Sequence, residues 1–252
     1  MIVAITGHIA PPDNPLALNP GHALAPPGPE HWFGTDQFGR DVFSRVLYGL
    51  GIDMVIGLMV AALAFAVGSM AGLISGYLGG WIDDIVMRVV DIVMSFPSFL
   101  LALTIAVVIG NTVRNVIIAV TVAYVPYILR LTRSSVLTAR GADYVLGARA
   151  VGASRSRVMA LHVLPNAAGP SVVQATLMAG WAILDVSGLS FLGVGIQPPS
   201  PELGLQVAQG APYITSGQWW ISVFPGVAII LAVLAFNFLG DYADDKLRGQ
   251  GS

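Results

Sequence analysis

Read from one end to the other, the chain alternates long uncharged apolar stretches with short polar breaks. A helix crossing roughly 30 Å of hydrocarbon needs about 20 apolar residues, and five stretches meet or approach that length. Met54–Ile82 lies between Asp53 and Asp83, Ile92–Val113 between Asp91 and Arg114, and the shorter Asn115–Leu129 between Arg114 and Arg130. The long stems of Arg114 and Arg130 extend the third by reaching toward the headgroups. Two more run from about Gly169 to Leu192 and from about Trp219 to Leu239, the last opening on two tryptophans suited to an interface. Spans are therefore expected at about 54–80, 92–112, 114–133, 169–192 and 219–239. A soluble buried helix explains any one of them, but five helices apolar on every face would overfill a single soluble core.

The flanks read differently. Met1–Ala10 is apolar, too short to span, and lacks the basic start of a signal peptide, so it reads as the end of a missing first span. Pro11 to Pro29 holds seven prolines and almost no charge, an irregular extramembrane segment. Phe38–Leu50 mixes Arg40, Asp41 and Arg45 with Phe43, Val46 and Leu47, the pattern of a short amphipathic helix lying at the interface before the first full span. Residues 1–50 are thus expected to be the remnant of a first span, an extracytoplasmic Pro-rich segment and an interfacial helix, ahead of a transmembrane domain at 51–240 and a cytoplasmic tail at 241–252.

Composition agrees with lipid as the main solvent. Of 252 residues 55% are hydrophobic and 10% charged, against about 25% charged in soluble domains, and the mean hydropathy is +0.76. A net charge of −2 offers no basic surface for nucleic acid. The absence of cysteine excludes disulfides, thiolate metal sites and cysteine nucleophiles. Basic residues are retained on the cytoplasmic side, and they give the direction. Arg130–His162 carries six arginines and, with five spans after residue 50, shares its side with Arg88, Lys246 and Arg248; the opposite side receives only Arg40, Arg45 and Arg114. Residues 193–218, with no basic residue, are expected outside, together with the Pro-rich segment.

Two patterns carry candidate roles. Gly68, Gly72 and Gly76 recur at intervals of four, one face of the first span, where small residues let helix backbones approach closely in lipid. The second is the polar insert at 141–166. Asp143 can cap a helix reaching about Val151 with Tyr144, Ala148 and Val151 on one stripe, Gly152 can supply the left-handed stop, and Ser154 can cap a second helix through Leu164 that Pro165 ends. Such a helix–glycine–helix on the inner face suits docking into a partner's groove, and spacing alone weighs that equally with a basic loop held near anionic lipid.

The run from Tyr144 to Ser154, continued by His162-Val163-Leu164-Pro165-Asn166, resembles the EAA loop of ABC importer permeases, written EAA-x3-G-x9-H-x-L-P in the peptide-transporting branch. Gly152, His162, Leu164 and Pro165 fall in register; Leu146 and Gly147 stand where the acidic residue and first alanine would be, so an acidic contact to an ATPase is not carried over. Gly34-Thr35-Asp36 through Arg45, Leu189–Gly193, Gln197-Pro198-Pro199 and Phe236–Asp241 are similar to further signatures of the dipeptide, oligopeptide and nickel permease family. The resemblance covers roughly residues 26 to 247.

It implies an all-α polytopic helix bundle in a bacterial or archaeal cytoplasmic membrane, working by alternating access. The implied partners are a second homologous permease, two ATP-binding cassette subunits that hold ATP and Mg, and an extracytoplasmic binding protein. Asp143, Tyr144, Ala148, Gly152, Ser154, Arg155, His162, Leu164 and Pro165 would then form the coupling surface. The family leaves the solute open among dipeptides, oligopeptides, nickel chelates, glutathione and opines. The sole lysine, Lys246, is in no phosphate-binding loop, so ATP hydrolysis is expected in separate subunits.

Asp185, a carboxyl inside a span, invites two other readings. Paired with Asp241 it suggests an intramembrane protease, but Phe238 replaces the first glycine of G-x-G-D, and neither G-x-S-G nor H-E-x-x-H occurs. As a lone deep carboxyl without repeated halves it fits an ion-coupled transporter or channel poorly. It is read as a polar group within the bundle or on a water-filled path. His162 is read as a structural residue of the insert in preference to a pH switch.

Overall fold

The computed structural model describes residue 11 and residues 13–249, so Met1–Ala10 lies outside the described residues. The described residues are helical apart from loops and an isolated antiparallel bridge between Thr35 and Asp41. The helices, numbered here in chain order, are α1 (Val42–Leu78), α2 (Gly80–Met94), α3 (Ser98–Ile109), α4 (Val113–Ala139), α5 (Asp143–Ala150), α6 (Arg155–Val158), α7 (Leu164–Ala167), α8 (Gly169–Phe191), α9 (Leu203–Gly210) and α10 (Trp220–Gly249). A single π-helical stretch, Met159–Val163, joins α6 to α7.

Four helices, α1, α4, α8 and α10, are long and apolar enough to cross a membrane, and α2 with α3 makes a fifth candidate bent by 90°. Their solvent is written on their surfaces. On α1, Ile56, Val60 and Ala64 are buried while Val55, Leu63 and Val67 stay exposed, so the helix is apolar on packed and unpacked faces alike.

The bounds differ from the sequence expectation at the start of α1, at Pro97, and at the ends of α4, which runs on to Ala139, and of α10. The stretch expected as an interfacial helix at 38–50 is instead a turn followed by the first residues of α1, which runs unbroken for 37 residues. The expected span at 92–112 is not one rod. Pro97 disfavours helical geometry at Phe96, Ser95 closes α2 by donating its hydroxyl to the Ile92 carbonyl at 2.7 Å, and α3 departs in a new direction. Helix α10 does not stop at 239 but continues through Asp241 to Gly249.

The chain divides into two compact units. Among the described residues, one comprises those up to Met59, Leu103–Ala119 and Ala179–Ala235; the other comprises Val60–Ala102, Val120–Met178 and those from Phe236 on. The first has Val42, Val46, Ile183, Leu189 and Leu203 in its core. In the second, Leu73 and Tyr77 of α1, Val136 of α4 and Val145, Val158, Val163 and Ala167 of the insert form one buried cluster.

Candidate functional site

The insert is a folded element. Its first helix begins at Asp143, with Ala142 as the capping residue and no side-chain cap; Asp143 occupies the first turn, where its negative charge complements the positive end of the helix dipole instead of capping. Gly152 lies at φ +86°, the left-handed stop. Its amide donates to the Arg149 carbonyl at 3.0 Å and the Ala153 amide to that of Ala148 at 3.1 Å. Ser154 then caps α6, accepting from the Arg157 amide.

Beyond that point the chain departs from the expected simple helix. Pro165 does not end it. The stretch Met159–Val163 widens to π-helical geometry, the Leu164 amide reaches back to the Met159 carbonyl, and α7 continues to Ala167 with Pro165 in its first turn, where a missing N–H costs least. His162 is half-buried in the π turn, and its carbonyl accepts from Asn166 Nδ2 at 2.7 Å.

The two faces of the insert differ. Val145, Val158, Val163 and Ala167 enter the cluster with Leu73, Tyr77 and Val136, and Ala148 and Leu164 pack against it. Tyr144, Leu146, Val151 and Leu161 are exposed, Val151 at 86%. The expected stripe of Tyr144, Ala148 and Val151 is thus split between an inner and an outer face. Arg155 is exposed, and with Tyr77, Leu78 and Arg149 it lines a cavity of about 380 Å³. Arg149 Nε donates to the Tyr77 hydroxyl at 3.1 Å, and its guanidinium lies 5.1 Å from the ring centroid.

Charged contacts that sequence reading passed over brace the same region. Arg133 of α4 makes a bidentate pair with Asp83 of α2 at 2.5 Å, and Ser75 of α1 donates to the same carboxylate. Arg130 pairs with Asp91 across an exposed surface, and Arg140 Nη1 donates to the Gly76 carbonyl at 2.9 Å. The glycine face of α1 lies on α4. A Cβ at Gly68 would sit 2.8 Å from Ile128 Cβ, at Gly72 2.9 Å from Thr132 Cβ, and at Gly76 3.0 Å from the Arg133 carbonyl oxygen. Asp185 is half-buried in α8 and engaged with a partner.

The signature from Gly34 to Arg45 has its own physical role. Buried Asp36 accepts Arg40 Nε at 2.6 Å and the Phe38 and Arg40 amides at 2.8 and 3.0 Å, while Arg45 Nε lies 3.5 Å away. Arg45 also donates to the Pro15 carbonyl, Gln206 of α9 donates to the Arg45 carbonyl, and Trp220 Nε1 donates to the Thr35 carbonyl, all at 3.0 to 3.1 Å. The motif is a polar knot joining the Pro-rich segment, α1, α9 and the start of α10. Only the clustering of Asp36, Arg40 and Arg45 in an apolar chain could have signalled it.

Residues 68–249 match the family described as binding-protein-dependent transport system inner membrane component. The chain is 45% identical over 253 residues to the dipeptide transport system permease protein DppC of Escherichia coli, covering 98% of this chain and 84% of that one. It is 40% identical over 247 residues to the DppC of Alkalihalophilus pseudofirmus, covering 98% and 81%, and 42% identical over 250 residues to a putative peptide transport system permease of Brucella suis, covering 98% and 84%. Among solved structures, the crystal structure of an amino acid ABC transporter with histidines superposes with a TM-score of 0.55 at 14% identity, covering 80% of this chain and 94% of that one, which supports the fold.

Proposed function

The chain belongs to the family of binding-protein-dependent transport system inner membrane components, and from that premise we propose that its insert turns the motion of cytoplasmic ATPases into movement of a peptide pathway. The chain is a multi-pass permease of an ABC importer, related to dipeptide and peptide permeases. In the proposed assembly it pairs with a second permease, rests on two ATPase subunits that bind ATP and Mg, and receives solute from an extracytoplasmic binding protein. The solute is a dipeptide or short peptide, in keeping with the named transport of its relatives. The setting is the cytoplasmic membrane of a bacterium.

The observation that carries this reading is the shared cluster of Leu73, Tyr77, Val136, Val145, Val158 and Val163. A packed interior transmits displacement because it is dense, so a force on the outer face of the insert reaches α1 and α4 together. The exposed apolar side chains Tyr144, Leu146 and Val151 give a partner something to grip. The absence of an acidic residue at Leu146 makes that grip apolar.

Gly152→Val tests the coupling. The site has open space around it, so the substitution acts through its left-handed backbone, at roughly 1–2 kcal/mol. Membrane insertion stays intact, while ATPase copurification or substrate-stimulated hydrolysis falls and transport falls with it. Gly152→Asn, which tolerates that conformation better, retains more of both. Full transport and stimulation in Gly152→Val would exclude the insert as the coupling element.

A further inference from the structure

A second site lies in the Pro-rich segment, in chemistry unrelated to the path of the solute. Asp13, His31 and Asp41 come from three separated positions, yet each brings one ligand atom into a group in which all such atoms lie within 4.8 Å of one another. His31 Nδ1 is 3.0 Å from Asp41 Oδ1. Two donors bound to one ion at about 2.0–2.2 Å are separated by close to this distance.

The surroundings are built to hold these groups. Ser44 serves both acids: its amide donates to Asp41 Oδ2 at 2.7 Å, and its hydroxyl accepts the Asp13 amide at 3.1 Å. Asp41 Oδ1 is left facing the imidazole, and the backbone carrying Asp13 is tied down again by Arg45 on the Pro15 carbonyl. The Asp41 carboxylate is thereby oriented, as outer contacts orient ligands in metal centres, and the backbone of Asp13 is fixed beside it. His22 stands edge-on to His31 with ring centroids 5.9 Å apart and packs the imidazole from one side. A cavity of about 480 Å³ lined by His22, Glu30 and His31 lies beside the imidazole.

Charge points the same way. Two carboxylates converge on one imidazole, while the nearby guanidiniums of Arg40 and Arg45 are engaged by Asp36. The His31–Asp41 hydrogen bond accounts for that pair and not for the approach of Asp13.

We propose that Asp13, His31 and Asp41 bind one divalent transition-metal ion, which staples the Pro-rich segment to the first turn of α1. A mixed nitrogen and carboxylate set suits Zn²⁺ and its neighbours, whereas Ca²⁺ and Mg²⁺ favour oxygen alone. Water completes the shell. The ion closes the loops between its ligands and so holds the segment's irregular backbone in place.

The test uses the full chain purified in detergent, freed of metal by chelation and titrated with Zn²⁺ alone. One Zn²⁺ per chain is expected, with affinity at least tenfold weaker in Asp13→Asn and in His31→Gln. Asp13 is exposed, so its replacement leaves the fold intact. Zn²⁺ should also slow protease cleavage between residues 13 and 31 in the parent and not in Asp13→Asn, and excess Ca²⁺ should not displace it. Absence of stoichiometric uptake by the parent, or parental affinity in both variants, overturns the site. Neither result bears on the coupling role of the insert.

Discussion

Glu202 shows how much one side chain can carry. It caps α9, accepting from the Gly204 amide at 2.9 Å and the Leu205 amide at 2.7 Å, and it is fully buried. Burial pushes its carboxyl above the usual glutamate range, and the two amides pull only part of the way back. Asp53 lies beside it, with Oδ2 accepting from the Leu203 amide at 3.2 Å and Oδ1 unpartnered among the described residues. An acid raised in the folded state contributes stability that is fully present below its unfolded value, about 4.3, and lost as pH rises through the raised one. Thermal stability followed by tryptophan fluorescence should therefore fall over that window. Glu202→Gln keeps a cap acceptor, costs about 1 kcal/mol at the acid end and flattens the slope. An unchanged slope would assign the titration to another group. In sequence, Asp53 reads only as the edge of an apolar stretch, because its partner Leu203 lies 150 positions away.

At the scale of elements, the glycine face of α1 makes the sharpest prediction. Gly72→Leu places a side chain against the Leu129 carbonyl, Thr132 and Arg133 of α4, where overpacking typically costs 1–3 kcal/mol. Insertion should be normal, since apolar content rises, while the melting temperature in detergent and transport both fall. Gly147→Ala serves as the contrast, because its Cβ meets nothing within 4 Å; it should be neutral or slightly stabilising. If Gly72→Leu behaves like Gly147→Ala, the face does not carry the packing. The four-residue spacing made this seam legible as a seam, but its partner helix required the fold. Hydropathy likewise located the apolar helices and missed the break at Pro97, because an average over side chains does not register a residue whose effect is on its neighbour's backbone. The π turn before Pro165 is hidden for a related reason: a proline at that place reads as a stop, and the widened turn lets the chain pass it.

For the molecule as a whole, direction across the membrane is the property that places every other claim. Arg130–His162 has six arginines, and residues 193–218 have no lysine or arginine, so retention of basic residues predicts the insert inside and the long loop outside. Both sides offer clean reporters: Ser154 and Ser216 are exposed, and the chain has no cysteine of its own. In intact cells Ser216→Cys should react with an impermeant maleimide, whereas Ser154→Cys should react only after permeabilisation. The Zn²⁺ site and the knot around Asp36 precede the first long apolar helix and share the side of residue 216 if α2 and α3 together count as one crossing. A bent pair that turns back instead would change the number of crossings between α1 and the insert. It would put residues 13–41 and the insert on one side. A cysteine at exposed Leu18 separates the cases: labelling from outside together with Ser216→Cys requires the crossing, while labelling only with Ser154→Cys would make α2 and α3 a re-entrant loop.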